Sequence, residues 1–141
     1  MTDTASCARL NDLLVDLGRS LLQYAGEAWP WTSTTDAGEL RSVVSRLGAF
    51  QRESVAAVAH LLDGEGHPID FGVYPDEYTS LHYVSLRYLL DQLIVNEQAL
   101  VEECRAVTSE LEPNSPAADL LREVSQREAA ILSELQSLRQ V

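Results

Sequence analysis

The chain has 141 residues, with 22 acidic and 10 basic side chains and a formal net charge of −12. All basic residues are arginine, which excludes lysine nucleophiles and Schiff bases, and no basic stripe is present to bind nucleic acid. This length predicts a single domain over residues 1–141. Apolar runs of only a few residues predict no membrane span, and the absence of a signal-peptide pattern predicts a cytoplasmic location.

Apolar residues recur with a period of about 3.6 in four segments, which is typical of amphipathic helices. The first predicted helix covers residues 5–28 and ends before Pro30, which cannot continue a helix. The second covers residues 36–63, and its predicted inner stripe passes through Phe50 and Ser54 before two glycines interrupt the period.

The third predicted helix covers residues 76–110 and the fourth residues 116–140, with Ser115 as its cap and Pro116 just inside it. The connections are short except for residues 64–74. Because short loops place successive helices antiparallel, the sequence predicts an all-α, up-down-up-down four-helix bundle.

The third and fourth helices each carry one glutamate, Glu97 and Glu128, within an apolar stripe. Each lies about 13 residues from the loop between the helices, so the two should be level in the core. A buried carboxylate needs a partner or a proton, and Arg46 is the expected counter-charge. A small rotation of the bundle would instead turn one glutamate towards solvent or a dimer seam.

Two facing carboxylates in the core of a helical bundle resemble the site of ferritin-like di-iron proteins. That family uses one glutamate from each of two helices and a Glu-x-x-His from each of the other two. The resemblance implies a bundle in which Glu97 and Glu128 are metal ligands. The chain has no Glu-x-x-His, since Leu100 and Ile131 occupy the third positions after these glutamates.

A second candidate site lies around the connection between the second and third helices, where all three histidines occur. Imidazole and carboxylate groups are ligands for zinc and other divalent ions. A metal site here would draw on His60, His67, His82, Asp70 and Glu77.

The alternative for this region is structural, because histidines at bundle ends commonly bond tyrosine or carboxylate groups. Residues 67–83 would then close the bundle end opposite Trp29 and Trp31, with Phe71 or Tyr74 turned inward. In either case the axial positions of His60 and His82 predict that they lie close together.

No nucleophile is paired with a histidine at a recognisable spacing, so no catalytic residue is assigned. The sequence therefore favours a non-catalytic binding or assembly module that needs no cofactor, and the alternative is a metal-binding helical bundle. Apolar residues outside the main stripes suggest a second contact surface and a homodimer. These residues are Leu13, Leu22, Leu81, Ile94, Val95, Val101 and Leu132.

Overall fold

The computed structural model describes residues 2–29 and 37–139, and over these ranges the chain is helical with no β-strand. The predicted all-α class is therefore confirmed, while Trp31 and the predicted helix start at residue 36 lie outside the described residues. The α-helices are α1 (Thr4–Gly18), α2 (Leu21–Glu27), α3 (Ala37–Gly64), α4 (Leu86–Glu110) and α5 (Pro116–Arg139), and a 3-10 helix covers Asp76–Tyr83.

The first predicted helix, residues 5–28, is in fact two helices that meet at Ser20. The Ser20 hydroxyl accepts a hydrogen bond from the Gln23 amide at 3.2 Å and so caps the start of α2. The Leu21 amide donates to the side chain of Asn96 on α4 at 3.2 Å. Side chains thus replace the bonds that a continuous helix would make here, and the break places the Ser20 side chain in the interior.

The third predicted helix, residues 76–110, also divides. Its first part is the 3-10 helix, which contains no buried residue. The α-helix begins only at Leu86, where the Ser85 hydroxyl accepts from the Tyr88 amide at 3.1 Å. The apolar period predicted the body of α4 correctly, but the Pro75–Glu77 pattern marks the start of the 3-10 helix and not of the α-helix.

The core consists of two clusters of buried apolar side chains, one towards each end of the helices. The first combines α1, the second halves of α3 and α4, and the first half of α5; the second combines α2, the first halves of α3 and α4, and the second half of α5. Following the chain between the clusters shows that α3 and α4 run in the same direction, and that α1, α2 and α5 run in the opposite one. The predicted up-down-up-down order is therefore wrong between α3 and α4.

The connecting segment, residues 65–85, explains the parallel direction of α3 and α4, because it runs back along α1 and α2. Near its start the Asp70 backbone exchanges two hydrogen bonds with the Asn11 side chain, both 3.0 Å. Further on, Arg19 Nε donates to the carbonyls of Phe71 and Gly72 at 3.2 and 3.1 Å. The hydroxyl of Tyr74 then donates to the carboxylate of Glu27.

The predicted closure of the bundle end opposite Trp29 is therefore wrong. Tyr74 and Tyr78 pack against the second cluster, which contains Trp29 itself. Of the two residues predicted to turn inward, Tyr74 does so, whereas Phe71 is 51% exposed. Since α3 and α4 run the same way, the connection must return along the side of the molecule and cannot close a single end.

The contacts between helices show which of them lie on opposite sides of the molecule. α1 and α2 pack on α3 and α4, and α5 packs on the same two helices from the opposite side. Among the described residues, no helix is both long and apolar enough to cross a membrane.

Candidate functional site

A layer of buried polar side chains separates the two apolar clusters. Gln51 and Ser54 of α3 and Glu128 of α5 are fully buried, and Glu97 of α4 is 1% exposed. In each of these helices the polar residue falls between members of the first cluster and members of the second. The structure thus brings Glu97 and Glu128 to the same level, as their distances from the α4–α5 loop predict.

Gln51 links the two carboxyl groups directly. Its amide nitrogen donates to Glu97 Oε1 at 3.0 Å and to Glu128 Oε1 at 2.7 Å. Its amide oxygen accepts from Ser20 Oγ at 2.8 Å and from Gln23 Nε2 at 3.0 Å. A primary amide can donate two hydrogen bonds and accept two, so this network uses the full capacity of the Gln51 side chain.

The backbone fixes which way the Gln51 amide points. Gln23 Nε2 also donates to the carbonyl oxygen of Gly48 at 2.8 Å, so the nitrogen of Gln23 must occupy that position. A donor on Gln23 requires an acceptor on Gln51, which turns the Gln51 oxygen towards α2 and its nitrogen towards the carboxyl groups. The hydrogen-bond network therefore determines both amide orientations.

The two glutamates differ in the donors that reach them. Glu128 Oε2 accepts from Ser54 Oγ at 3.3 Å, and Ser54 Oγ in turn accepts from Arg127 Nη1 at 3.0 Å. Glu97 Oε2 is buried and has no hydrogen-bond donor. Glu128 thus receives more hydrogen-bond donors than Glu97, although both carboxyl groups are buried away from water.

Burial raises the pKa of both glutamates. For Glu97 the desolvation is reinforced by the negative charge of Glu128. For Glu128 the desolvation is opposed by the hydrogen bonds of Gln51 and Ser54 and by the charge of Arg127. Burial, followed by the two glutamate charges, also raises the pKa of the neighbouring Cys104 thiol, so this thiol stays protonated and unreactive at neutral pH.

Arg46, the predicted counter-charge, takes no part in this layer. It lies on the outside of α3 and pairs with Glu134 of α5, at 3.0 Å from Nη1 to Oε1. The residue between the glutamates is Gln51, which lies outside the predicted stripe because that stripe passes through Phe50. In the structure Phe50 is 38% exposed and packs against Arg127, while Gln51 points inward. The available signal for Gln51 was its position three residues before Ser54, which is itself predicted to face inward.

Apart from His60 on α3, the residues of the predicted histidine site lie along the connecting segment. Asp70 is beside Asn11, whereas His82 bonds the hydroxyl of Tyr24 and stacks on its ring. Along one continuous helix, the positions of Asn11 and Tyr24 would be about 20 Å apart. The structure therefore does not gather these residues around one point.

The two remaining histidines and Glu77 are also apart from His82. His60 is exposed on α3, in an open groove of about 550 Å³ that includes Ile69 and Phe71. Glu77 is exposed on the 3-10 helix, and the His67 amide donates to the Leu62 carbonyl at the end of α3. Over residues 2–29 and 37–139 no group of three or more His, Cys, Asp or Glu side chains is arranged to hold a metal ion.

The glutamate layer does not fit a metal centre either. The atom between the carboxyl groups is an amide nitrogen whose hydrogens are both directed at oxygen, so it offers no lone pair to a cation. Presenting the Gln51 oxygen instead would break its bonds to Ser20 and Gln23.

No protein-family model, no curated protein and no solved structure matches this chain. The structure defines it by its own features, an all-helical protein with a closed polar layer between two apolar clusters.

Proposed function

We propose that this chain is a non-catalytic four-helix-bundle module that acts in binding or assembly through its outer surface. In this proposal α1 and α2 together form the first helix of the bundle, and the connecting segment is a single long crossover between the second and third helices. The interior serves to hold the helices in register.

The observation that supports the proposal most is the placement of the Gln51 amide. It fills the space between Glu97 and Glu128, where a metal-dependent bundle would keep its ion. A reaction centre also needs access for a substrate, and these two side chains are 1% and 0% exposed. A saturated and sealed polar layer is what a register-fixing element requires.

Elemental analysis of protein purified without an affinity tag tests this proposal. We expect transition metals well below one equivalent per chain, both as purified and after incubation with ferrous iron or zinc followed by desalting. One stoichiometric equivalent that is lost in the Glu128→Gln variant would overturn the non-catalytic proposal.

The outer surface that we propose for assembly lies on α4, and the partner is a second copy of the chain. Tyr88 and Val95 are 48% and 58% exposed and, two helical turns apart, share one face of α4. Leu13, Leu22 and Val101, which were counted as surplus in the sequence, are buried in the chain's own core. The case for a homodimer therefore depends on the α4 face, with half-buried Ile94 beside it.

A pair of matched variants tests the homodimer. We expect light scattering at micromolar concentration to give twice the chain mass for the wild type and a monomer mass for Val95→Asp. Val73→Asp is the control, because Val73 is 83% exposed on the connecting segment and its variant should stay dimeric. A monomeric wild type over the accessible concentration range would contradict the homodimer.

The alternative is the metal-binding bundle that the sequence resemblance implies. The single long crossover favours it, because one crossover is the connectivity of ferritin-like folds. Against it stand the donor set around Gln51 and the dispersed histidines. The elemental analysis described above separates the two proposals.

A further inference from the structure

The buried layer contains more negative charge than its hydrogen bonds can balance. Gln51 supplies two donors in total, one to each carboxyl group, and its amide is uncharged. Neither Glu97 nor Glu128 forms an ion pair with any residue in the described parts of the chain. Two adjacent buried carboxylates without a cation resist double ionisation, so the geometry requires a neutralising group that is not a side chain.

We infer that the layer is a proton-binding site, in which Glu97 and Glu128 hold one proton between them and Glu97 Oε2 carries it. This oxygen is the one buried carboxyl atom of the pair without a donor. As a hydroxyl it becomes a donor itself, and the hydrogen-bonding contact between the side chains of Glu97 and Glu128 offers it an acceptor. The assignment turns an unsatisfied acceptor into a donor.

The charged neighbours support the same assignment of the proton. Arg127 of α5 acts on Glu128 directly through its charge and through Ser54, which favours the ionised form of Glu128. On α3, Arg52 Nη1 donates to Gln23 Oε1 at 3.2 Å. The Arg52 charge is therefore separated from the two glutamates by the side chain of Gln23. On α4 the nearby titratable group is the Cys104 thiol, which stays neutral. On the side of α1 and α2, the uncharged side chains of Ser20 and Gln23 connect to the pair by way of Gln51.

This proton links the stability of the fold to pH. Burial and the charge of Glu128 raise the pKa of Glu97 from 4.5 to about 10 in the folded chain. The native state then holds a proton that the unfolded chain has released. The stabilisation is fully present below the unfolded value and is lost as pH rises through the folded value. Between the unfolded and the folded pKa value, the retained proton lowers the folding equilibrium constant tenfold for each unit by which the pH rises.

The first test observes the proton in the wild-type protein. With carbon-13 in the glutamate carboxyl carbons, we expect one resonance to stay at the protonated position at pH 9, where Glu103 has ionised, and to be absent from the Glu97→Gln spectrum. If every glutamate carboxyl carbon of the folded wild type titrates below pH 6, the inference is wrong.

The second test compares denaturant unfolding of the wild type and Glu97→Gln, whose amide mimics the protonated acid. The unfolding constant of the wild type divided by that of Glu97→Gln should rise tenfold per pH unit from pH 5 to 9. A pH-independent ratio would overturn the inference. Glu103→Gln is the matched control, because burial and then Asp16 raise the pKa of Glu103 to about 8. Its ratio should stop rising near pH 8.

Discussion

The polar layer around Gln51 and the connecting segment are the two regions richest in functional-looking side chains, and they are built in different ways. In the layer, side chains from α2, α3, α4 and α5 meet and bond one another in the interior. In the connecting segment, polar groups bond one after another to α1 and α2, each at a different level. The layer gathers its side chains at one place, whereas the connecting segment spreads its polar groups along α1 and α2.

This difference shows what brings polar residues together. In the layer the helical period fixes the facing side, and the packing of apolar clusters on both sides fixes the level. The connecting segment has no such period, and backbone carbonyls supply much of its bonding to α1. A dense sequence cluster of ligand-type residues is therefore weaker evidence for a site than a single polar residue in each of several apolar stripes.

Replacing Gln51 by leucine should give the largest loss of stability. The change removes the donors of both carboxyl groups and the acceptor of Ser20 and Gln23. Breaking a buried charged network in this way costs about 3–5 kcal/mol. Chemical denaturation at pH 7 measures it, with Gln126→Leu on the exposed side of α5 as the control. Equal stability of the two variants would show that the layer does not depend on Gln51.

A smaller loss is expected where the connecting segment passes closest to α1. At Gly72, with φ +69°, a Cβ would lie 2.5 Å from Val15 Cγ1. Gly72→Ala combines overpacking with a left-handed backbone, so we expect a loss of about 2–4 kcal/mol. Gly66 has a similar φ of +72° but open space around it, and Gly66→Ala should cost only about 1 kcal/mol. If both variants melt at the same temperature, the close contact with Val15 is not present in solution.

The smallest effect is expected at the histidines. His82→Ala removes a hydrogen bond and ring stacking with Tyr24 and should lower stability by about 1 kcal/mol. His60→Ala, on an exposed position, should leave it nearly unchanged. Added zinc should not shift the wild-type melt, because a ligand raises stability only by binding the native state. A zinc-dependent shift that His82→Ala abolishes would restore the predicted metal site.

The sequence predicted the helical class, the bodies of α3, α4 and α5, and the shared level of Glu97 and Glu128. It did not predict the partner of these glutamates, because Gln51 and Phe50 are neighbours and a period of 3.6 leaves the choice between adjacent positions open. It also missed the break at Ser20, where one hydroxyl and the side chain of Asn96 outweigh an unbroken apolar stripe. The direction of α4 depends on where residues 65–85 run, which local pattern does not encode.

The central claim is that Glu97 carries the proton of the buried pair and Glu128 the charge. Comparing the unfolding free energies of Glu97→Gln, Glu128→Gln and the wild type at pH 7 tests it most directly. Glu97→Gln need not take up a proton on folding, so it should be more stable than the wild type by up to about 3 kcal/mol. Glu128→Gln removes the ionised acceptor of Gln51 and Ser54 and should be less stable. The reverse order, with Glu97→Gln below the wild type and Glu128→Gln above it, would contradict the account.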